Sequence, residues 1–191
     1  MLRILAILLV LFGGAGIGLA SAKLMLDRNV SGDLVHAGPW DMRVSESLVA
    51  ADPYAQAERA RSGAIALASG EGFTLTARGD SQGQPLDGRC TYEISGATPA
   101  ARFWSVSLFD AQGRPLQNPA RRQSFTSTEL TRDAKGGFVI SVAAGVQPGD
   151  WLPAPADGGF LLLLRLYDTP IGAGVSVTRE QVPTISRLAC S

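Results

Sequence analysis

The sequence is poor in the residues that mark catalysis and metal binding. It has one histidine, His36, and two cysteines, Cys90 and Cys190, and it contains no Cys-x-x-Cys and no pair of histidines. That leaves no ligand spacing for a metal site, and neither a metal nor a cofactor is expected. His36 has no serine or cysteine nearby that it could activate as a base, so no catalytic residue is assigned from it. A Gly-x-Ser-x-Gly elbow, a phosphate loop and a dinucleotide fingerprint are all missing, and the glycines at 13–18 fall inside an apolar run where a fingerprint cannot operate. An excess of either charge is missing too. Seventeen basic residues balance seventeen acidic ones, so no basic face is advertised for nucleic acid.

Carboxylates that could serve as an acid–base pair are Glu93, Asp110, Asp150, Asp157 and Asp168. All but Glu93 sit where aspartate is common for turn chemistry, and the reading leans away from an enzyme.

A long apolar run is present. Ile4 to Ala22 carries no charge over about nineteen residues, near the ~20 that cross a bilayer as a helix. Residues 1–22 are therefore expected to be a transmembrane anchor with the amino terminus inside and the long following domain translocated. Ala20-Ser21-Ala22 also fits a signal-peptidase site, so an exported protein cleaved after Ala22 is the alternative. Gly14 and Gly18 have the spacing that lets membrane helices approach closely. In an oxidising compartment a Cys90–Cys190 disulfide would tie the tail to a strand, and two free thiols are the alternative.

Residues 23–51 read as a stalk and lead-in, with a turn at Gly38-Pro39 that ends on Trp40. Asp52-Pro53 is a helix start for about ten residues, since Asp can cap the free amides and Pro suits the first helical position. From there, residues 52–191 suit one domain. Short segments alternate apolar and polar residues: Phe73–Arg78, Arg89–Ser95, Arg102–Asp110 and Phe138–Ala143. Phe160–Leu164 is continuously apolar, the mark of a strand covered on both faces. The fold class is mainly β, a β-sandwich or jelly-roll-like domain with one or two short helices behind the N-terminal apolar helix.

Within it lies a polar–aromatic set of ligand-binding candidates: Arg102, Trp104, Asn118, Arg122, Trp151 and Arg165, accompanied by Arg121 and Tyr167. An inward Arg needs a carboxylate or a ligand anion, and the Trp rings could face a sugar or a lipid. Core packing and structural ion pairs are the alternative.

The blocks Cys90-Thr91-Tyr92 with Ser95-Gly96, Ala101-Arg102-Phe103-Trp104-Ser105 with Phe109-Asp110, Asn118-Pro119, Asp150-Trp151-Leu152-Pro153 and Gly159-Phe160 running to Tyr167 stand in order. With Gly38-Pro39-Trp40 and Asp52-Pro53-Tyr54 upstream, the chain resembles the domain-of-unknown-function 1214 family, and among it the short, membrane-anchored bacterial members. The resemblance implies a mainly β fold and a bacterial cell-envelope setting, with residues 4–22 in the inner membrane and the domain in the periplasm, or a periplasmic protein after cleavage following Ala22, and it brings no activity or catalytic residues. The expected function is a membrane-tethered periplasmic module that binds or scaffolds a cell-envelope component. Its partner would be an envelope glycan, a lipid or a membrane protein. The alternative is an envelope enzyme acting on carbohydrate or lipid through carboxylates and Arg.

Overall fold

The structure is a computed structural model that describes residues 2–27, 34–43, 53, 56, 57, 60, 71–169 and 177–190. Helix α1 (Leu2–Asp27) is followed by ten strands: β1 (Leu34–Ala37), β2 (Trp40–Arg43), β3 (Gly72–Ala77), β4 (Cys90–Gly96), β5 (Phe103–Asp110), β6 (Ser124–Thr126), β7 (Phe138–Ala143), β8 (Trp151–Pro153), β9 (Phe160–Tyr167) and β10 (Thr184–Cys190). A 3-10 turn at Arg179–Gln181 precedes the last of them.

The span Leu2–Met25 is long and apolar enough to cross a bilayer, and none of its most apolar window is buried by the rest of the chain. A helix of 26 residues is about 39 Å long. Between Leu2 and Leu24 its leucines, isoleucines and Phe12 are 45–84% exposed, an expensive arrangement in water that a lipid environment removes.

The strands form two sheets, β1-β2-β3-β9-β5-β6 and β10-β4-β7-β8. Every pairing is antiparallel except β7 with β8. The sheets pack face to face on one core. Tyr92 of β4 meets Phe160 of β9 edge-on at 5.7 Å, and Trp104 of β5 meets Phe138 of β7 at 4.9 Å. Strand β9 lies between β3 and β5, which is why its apolar run is continuous: Phe160, Leu161, Leu162, Leu164 and Leu166 are all buried.

The domain begins earlier than residue 52. Leu34–Ala37 and Trp40–Arg43 form a hairpin that joins the large sheet through β3, so the expected stalk contributes two strands. Trp40 is fully buried, and its Nε1 donates to the Pro183 carbonyl at 2.7 Å. It is a core residue. Of the helix expected from Pro53, the described positions Pro53, Gln56, Ala57 and Ala60 are helical and exposed, and the remainder lies outside the described residues.

Strand β10 is fastened to the fold in several ways. Cys190 stands opposite Cys90 on β4, and the two form a disulfide. Inside the sandwich, Arg187 Nε lies 3.0 Å from Asp80 Oδ2, off the angle of a directed hydrogen bond, so charge attraction holds that contact. The same guanidinium donates to the Pro85 carbonyl at 2.7 Å and lies over the Tyr92 ring at 5.4 Å. Asp80 is 2% exposed, and its Oδ1 accepts the backbone N–H groups of Gln82 and Gln84.

That last arrangement recurs. Asp80-Ser-Gln-Gly-Gln84, Asp110-Ala-Gln-Gly-Arg114 and Asp133-Ala-Lys-Gly-Gly137 each place an aspartate Oδ1 on the N–H groups two and four residues ahead. In each, the glycine at the fourth position has φ near +80° (Gly83, Gly113, Gly136), a conformation that glycine enters without steric cost. Turn chemistry accounts for Asp110, as its position in the sequence suggests. Its carboxyl is held below the ordinary range by the Arg114 N–H first, then by the Arg114 side chain.

Candidate functional site

Alternation along the central strands of the large sheet defines its outer face. On β9, Leu162, Leu164 and Leu166 enter the core, so Leu161, Leu163, Arg165 and Tyr167 take the opposite side. On β5, Trp104, Val106 and Leu108 enter, leaving Phe103, Ser105, Ser107 and Phe109 outward; on β3, Thr74 and Thr76 are outward.

Register then arranges these side chains in rows. Thr74, Arg165, Ser105 and Thr126 stand opposite one another across β3, β9, β5 and β6. One step along lies Gly72-Tyr167-Phe103, and one step the other way Thr76-Leu163-Ser107-Ser124. Gly72 is required where it stands, because a Cβ there would collide with the Leu166 carbonyl oxygen. The Phe103 and Tyr167 rings pack at 5.7 Å, and the Arg165 guanidinium lies 5.8 Å from the Phe109 ring centroid.

Arg165 is half-buried, and among the described residues no carboxylate pairs with it. Thr74 and Ser105 put a hydroxyl on each side of it at the spacing of adjacent strands, about 4.8 Å. Ser105 and Ser107 are each only 9% exposed. The row therefore presents a cation and hydroxyl donors in a partly dehydrated setting between two rows that carry large apolar side chains. A guanidinium there can bind an oxyanion through paired N–H donors, with the hydroxyls adding further donors.

The other candidates lie elsewhere. Arg102 precedes β5, exposed, 3.5 Å from Asp168 at the end of β9. Trp104 is 4% exposed, packed on Phe138, with the Arg132 guanidinium 5.8 Å from its ring centroid, so its surroundings are those of a core tryptophan. Asn118 closes its own loop, donating from Nδ2 to the Arg122 carbonyl at 2.7 Å and accepting the Arg122 N–H at 3.1 Å. The Arg122 guanidinium lies 4.6 Å from the Phe125 ring centroid. Trp151 is half-buried on β8 at the edge of the small sheet, with Nε1 donating to the Ala143 carbonyl at 2.9 Å. Of the six candidates only Trp104 on β5 and Arg165 on β9 lie on neighbouring strands, and their side chains take opposite faces of the sheet.

The carboxylates do not gather around either. Glu93 stands opposite Ser141 and Ser186 on the outer side of the small sheet, and Asp150 Oδ2 accepts the Thr131 N–H at 2.8 Å. His36 pairs with Asp41 across the first hairpin, Nδ1 to Oδ1 at 2.6 Å, largely exposed. A shallow cleft of about 270 Å³ lies over the disulfide, lined by Gly88, Arg89, Thr91, Gly145 and Ala189. Its one charged side chain, Arg89, is engaged with Asp87 at 2.7 Å, and that hydrogen bond holds the Asp87 carboxyl down at about 2.

Of this face the sequence singles out Arg165, and the alternation of β3 orients Thr74. Leu163 falls in the continuous apolar run of β9, which carries no alternating signal, so its side follows only from the pairing with β3 and β5.

A two-sheet β-sandwich, with a disulfide between two strands of its small sheet and an apolar helix before it, is thus the class of protein. Residues 71–171 match the family described as "Protein of unknown function (DUF1214)", over half the chain, and the protein belongs to that family. No curated protein matches the sequence. The fold is similar to the VPA0106 protein of Vibrio parahaemolyticus, with TM-score 0.61 and 20% identity over 92% of this chain. This chain spans 44% of that protein's length, and at such identity the likeness speaks to the fold alone. An uncharacterized protein of Burkholderia cenocepacia matches over 63% of this chain and 30% of its own, with TM-score 0.42 and 19% identity.

Proposed function

We propose that this protein is a membrane-tethered module of the bacterial cell envelope, its domain on the periplasmic side of the inner membrane. In this reading the domain binds or scaffolds an envelope component through the outer face of its large sheet. The observation that carries the reading is Arg165: a half-buried guanidinium with hydroxyls on both sides and, among the described residues, no carboxylate partner. A protein gains nothing in stability from such a cation, since partial burial without a counter-charge is unfavourable. A bound anion would supply the missing charge. The tether is supported by the unburied apolar surface of α1, and the oxidising compartment by the Cys90–Cys190 bond.

Site-specific photo-crosslinking in cells tests this. A photoreactive residue in place of Leu163 on the large sheet should capture an envelope component, whereas one in place of Val139, exposed on the small sheet, should not. Equal capture from both positions would sink the assignment of the face. Recovery of the protein in the wash after alkaline extraction of membranes would sink the tether.

A further inference from the structure

Resting on that reading of the large-sheet face, we propose that its ligand is an anionic lipid-derived amphiphile. The head group sits on Arg165 between Thr74 and Ser105, and the hydrocarbon part lies against the flanking apolar side chains. Three features point this way. The first is charge: Arg165 is the cation of its row, its guanidinium lies 5.8 Å from the Phe109 ring centroid, and among the described residues no carboxylate forms an ion pair with it. Glu129, the carboxylate beside the same row, accepts from the Thr126 hydroxyl at 2.7 Å, two strands further on, and forms no ion pair with Arg165. Among the described residues the guanidinium therefore keeps donors for an oxyanion.

The second is what borders the polar row. Tyr167 and Phe103 on one side, and Leu163 with Phe109 beyond it on the other, supply apolar surface directly next to the cation. A small hydrophilic anion would leave that surface wet and the ion pair screened by water, where such pairs are worth little. An attached hydrocarbon chain would cover it, exclude water from the guanidinium–anion contact and so strengthen the contact. The third is location. Six residues, 28–33, separate α1 from β1, so with α1 in a bilayer the domain stays within about 25 Å of the end of that helix. A membrane is then the available source of amphiphiles.

The test uses the full chain in nanodiscs of zwitterionic phosphatidylcholine, with hexyl phosphate, hexanol and inorganic phosphate as probes. The side-chain Nε resonance of Arg165 is the readout. Hexyl phosphate should move that resonance saturably, with a Kd at least tenfold below that of inorganic phosphate, and hexanol should leave it unmoved. Arg165→Gln should weaken hexyl phosphate binding tenfold or more, followed by a ligand-observed signal; Arg165→Lys should retain part of it, and Ser105→Val should lose several-fold. Arg102→Gln, which alters an exposed ion pair, should bind as the parent does. Because Arg165 lies outside the core, the variants are expected to keep the parent melting profile. If Arg165→Gln unfolds, Ser105→Val and the probe series still decide the matter.

Equal affinity for inorganic and hexyl phosphate would overturn the role of the apolar rows. Undiminished binding by Arg165→Gln would overturn the role of the guanidinium. Capture of a protein from Leu163, with no hexyl phosphate binding, would overturn the lipid assignment while leaving the face intact. Failure of both experiments would remove the face as well.

Discussion

Cleavage of the Cys90–Cys190 bond should cost the domain a large share of its stability without rearranging it. The bond joins residues 100 apart, and in the chain-entropy model closing a loop of that length stabilises by about 4.7 kcal/mol. The effect resides in the unfolded chain, because β10 keeps its other fastenings. Pro183 accepts from Trp40, Arg187 faces Asp80, and Ile185 exchanges hydrogen bonds with Ser81. For a domain of this size each kcal/mol moves the melting midpoint by roughly 2–4 °C, so reduction should lower it by roughly 9–19 °C. The assay is a circular-dichroism melt of the full chain in detergent, with and without reductant, beside the Cys90→Ser/Cys190→Ser double variant. That variant should melt where the reduced protein does and ignore the reductant. An unchanged midpoint after thiol titration has verified cleavage would refute the loop-closure argument. Two titratable thiols in the untreated protein, denatured, would refute the bond itself.

Asp80→Ala strips the counter-charge from Arg187 and two N–H partners from the turn, and should cost about 3 kcal/mol in urea unfolding, the low end for a buried pair because Arg187 is 29% exposed. Adding Arg187→Met should restore part of the loss, and strictly additive costs would show that the two residues are not coupled. Trp104→Ala, at a 4% exposed site against Phe138, should cost about 3–5 kcal/mol; a loss under 1 kcal/mol would place that ring outside the core. Acid should act through Asp87, Asp110 and Glu129, each held below its ordinary value by Arg89, Arg114 and Thr126 respectively. A depressed carboxyl contributes stability above its unfolded pKa, about 4, and loses it as pH falls toward the folded value, about 2 for Asp87. The midpoint should accordingly hold between pH 7 and 5 and drop between about 4 and 2, and one that is flat to pH 2 would contradict these assignments.

The strands legible in the sequence are those long enough to show a period. Phe73–Arg78, Arg89–Ser95, Arg102–Asp110 and Phe138–Ala143 each offer six or more residues of alternation, and each coincides with a strand of the structure to within one residue at either end. Ser124–Thr126 and Trp151–Pro153 have three residues apiece, too few for a periodic signal, although each pairs with the strand just before it in the chain, β5 and β7 respectively. Strand β10 hides for another reason: it turns Arg187 inward to meet Asp80 and Leu188 outward at a bulge, which inverts the usual pattern. On the outer face, parity along β5 separates Phe103, Ser105, Ser107 and Phe109 from the core side correctly. That β9 lies between β3 and β5, and so brings Arg165 against Thr74 and Ser105, depends on sheet order, which no local pattern encodes. Trp104 and Trp151 drew notice as aromatics, yet one lies in the core and the other spends its N–H on Ala143.

The fastenings of β10 also bear on how the protein is made. Trp40 waits for a carbonyl 143 residues further on, Ser81 for a backbone partner 104 residues away, and Cys90 for a thiol 100 residues away. During synthesis, none of these contacts can form until residues 183–190 have emerged. Until then the small sheet lacks one border, and the carboxylate of Asp80 has no guanidinium to meet. Such long-range closure is slow, and it leaves apolar strand surface uncovered while the chain is incomplete. A nascent chain halted short of β10 would expose this surface to chaperones and proteases, so completion of the strand acts as a checkpoint on the whole domain.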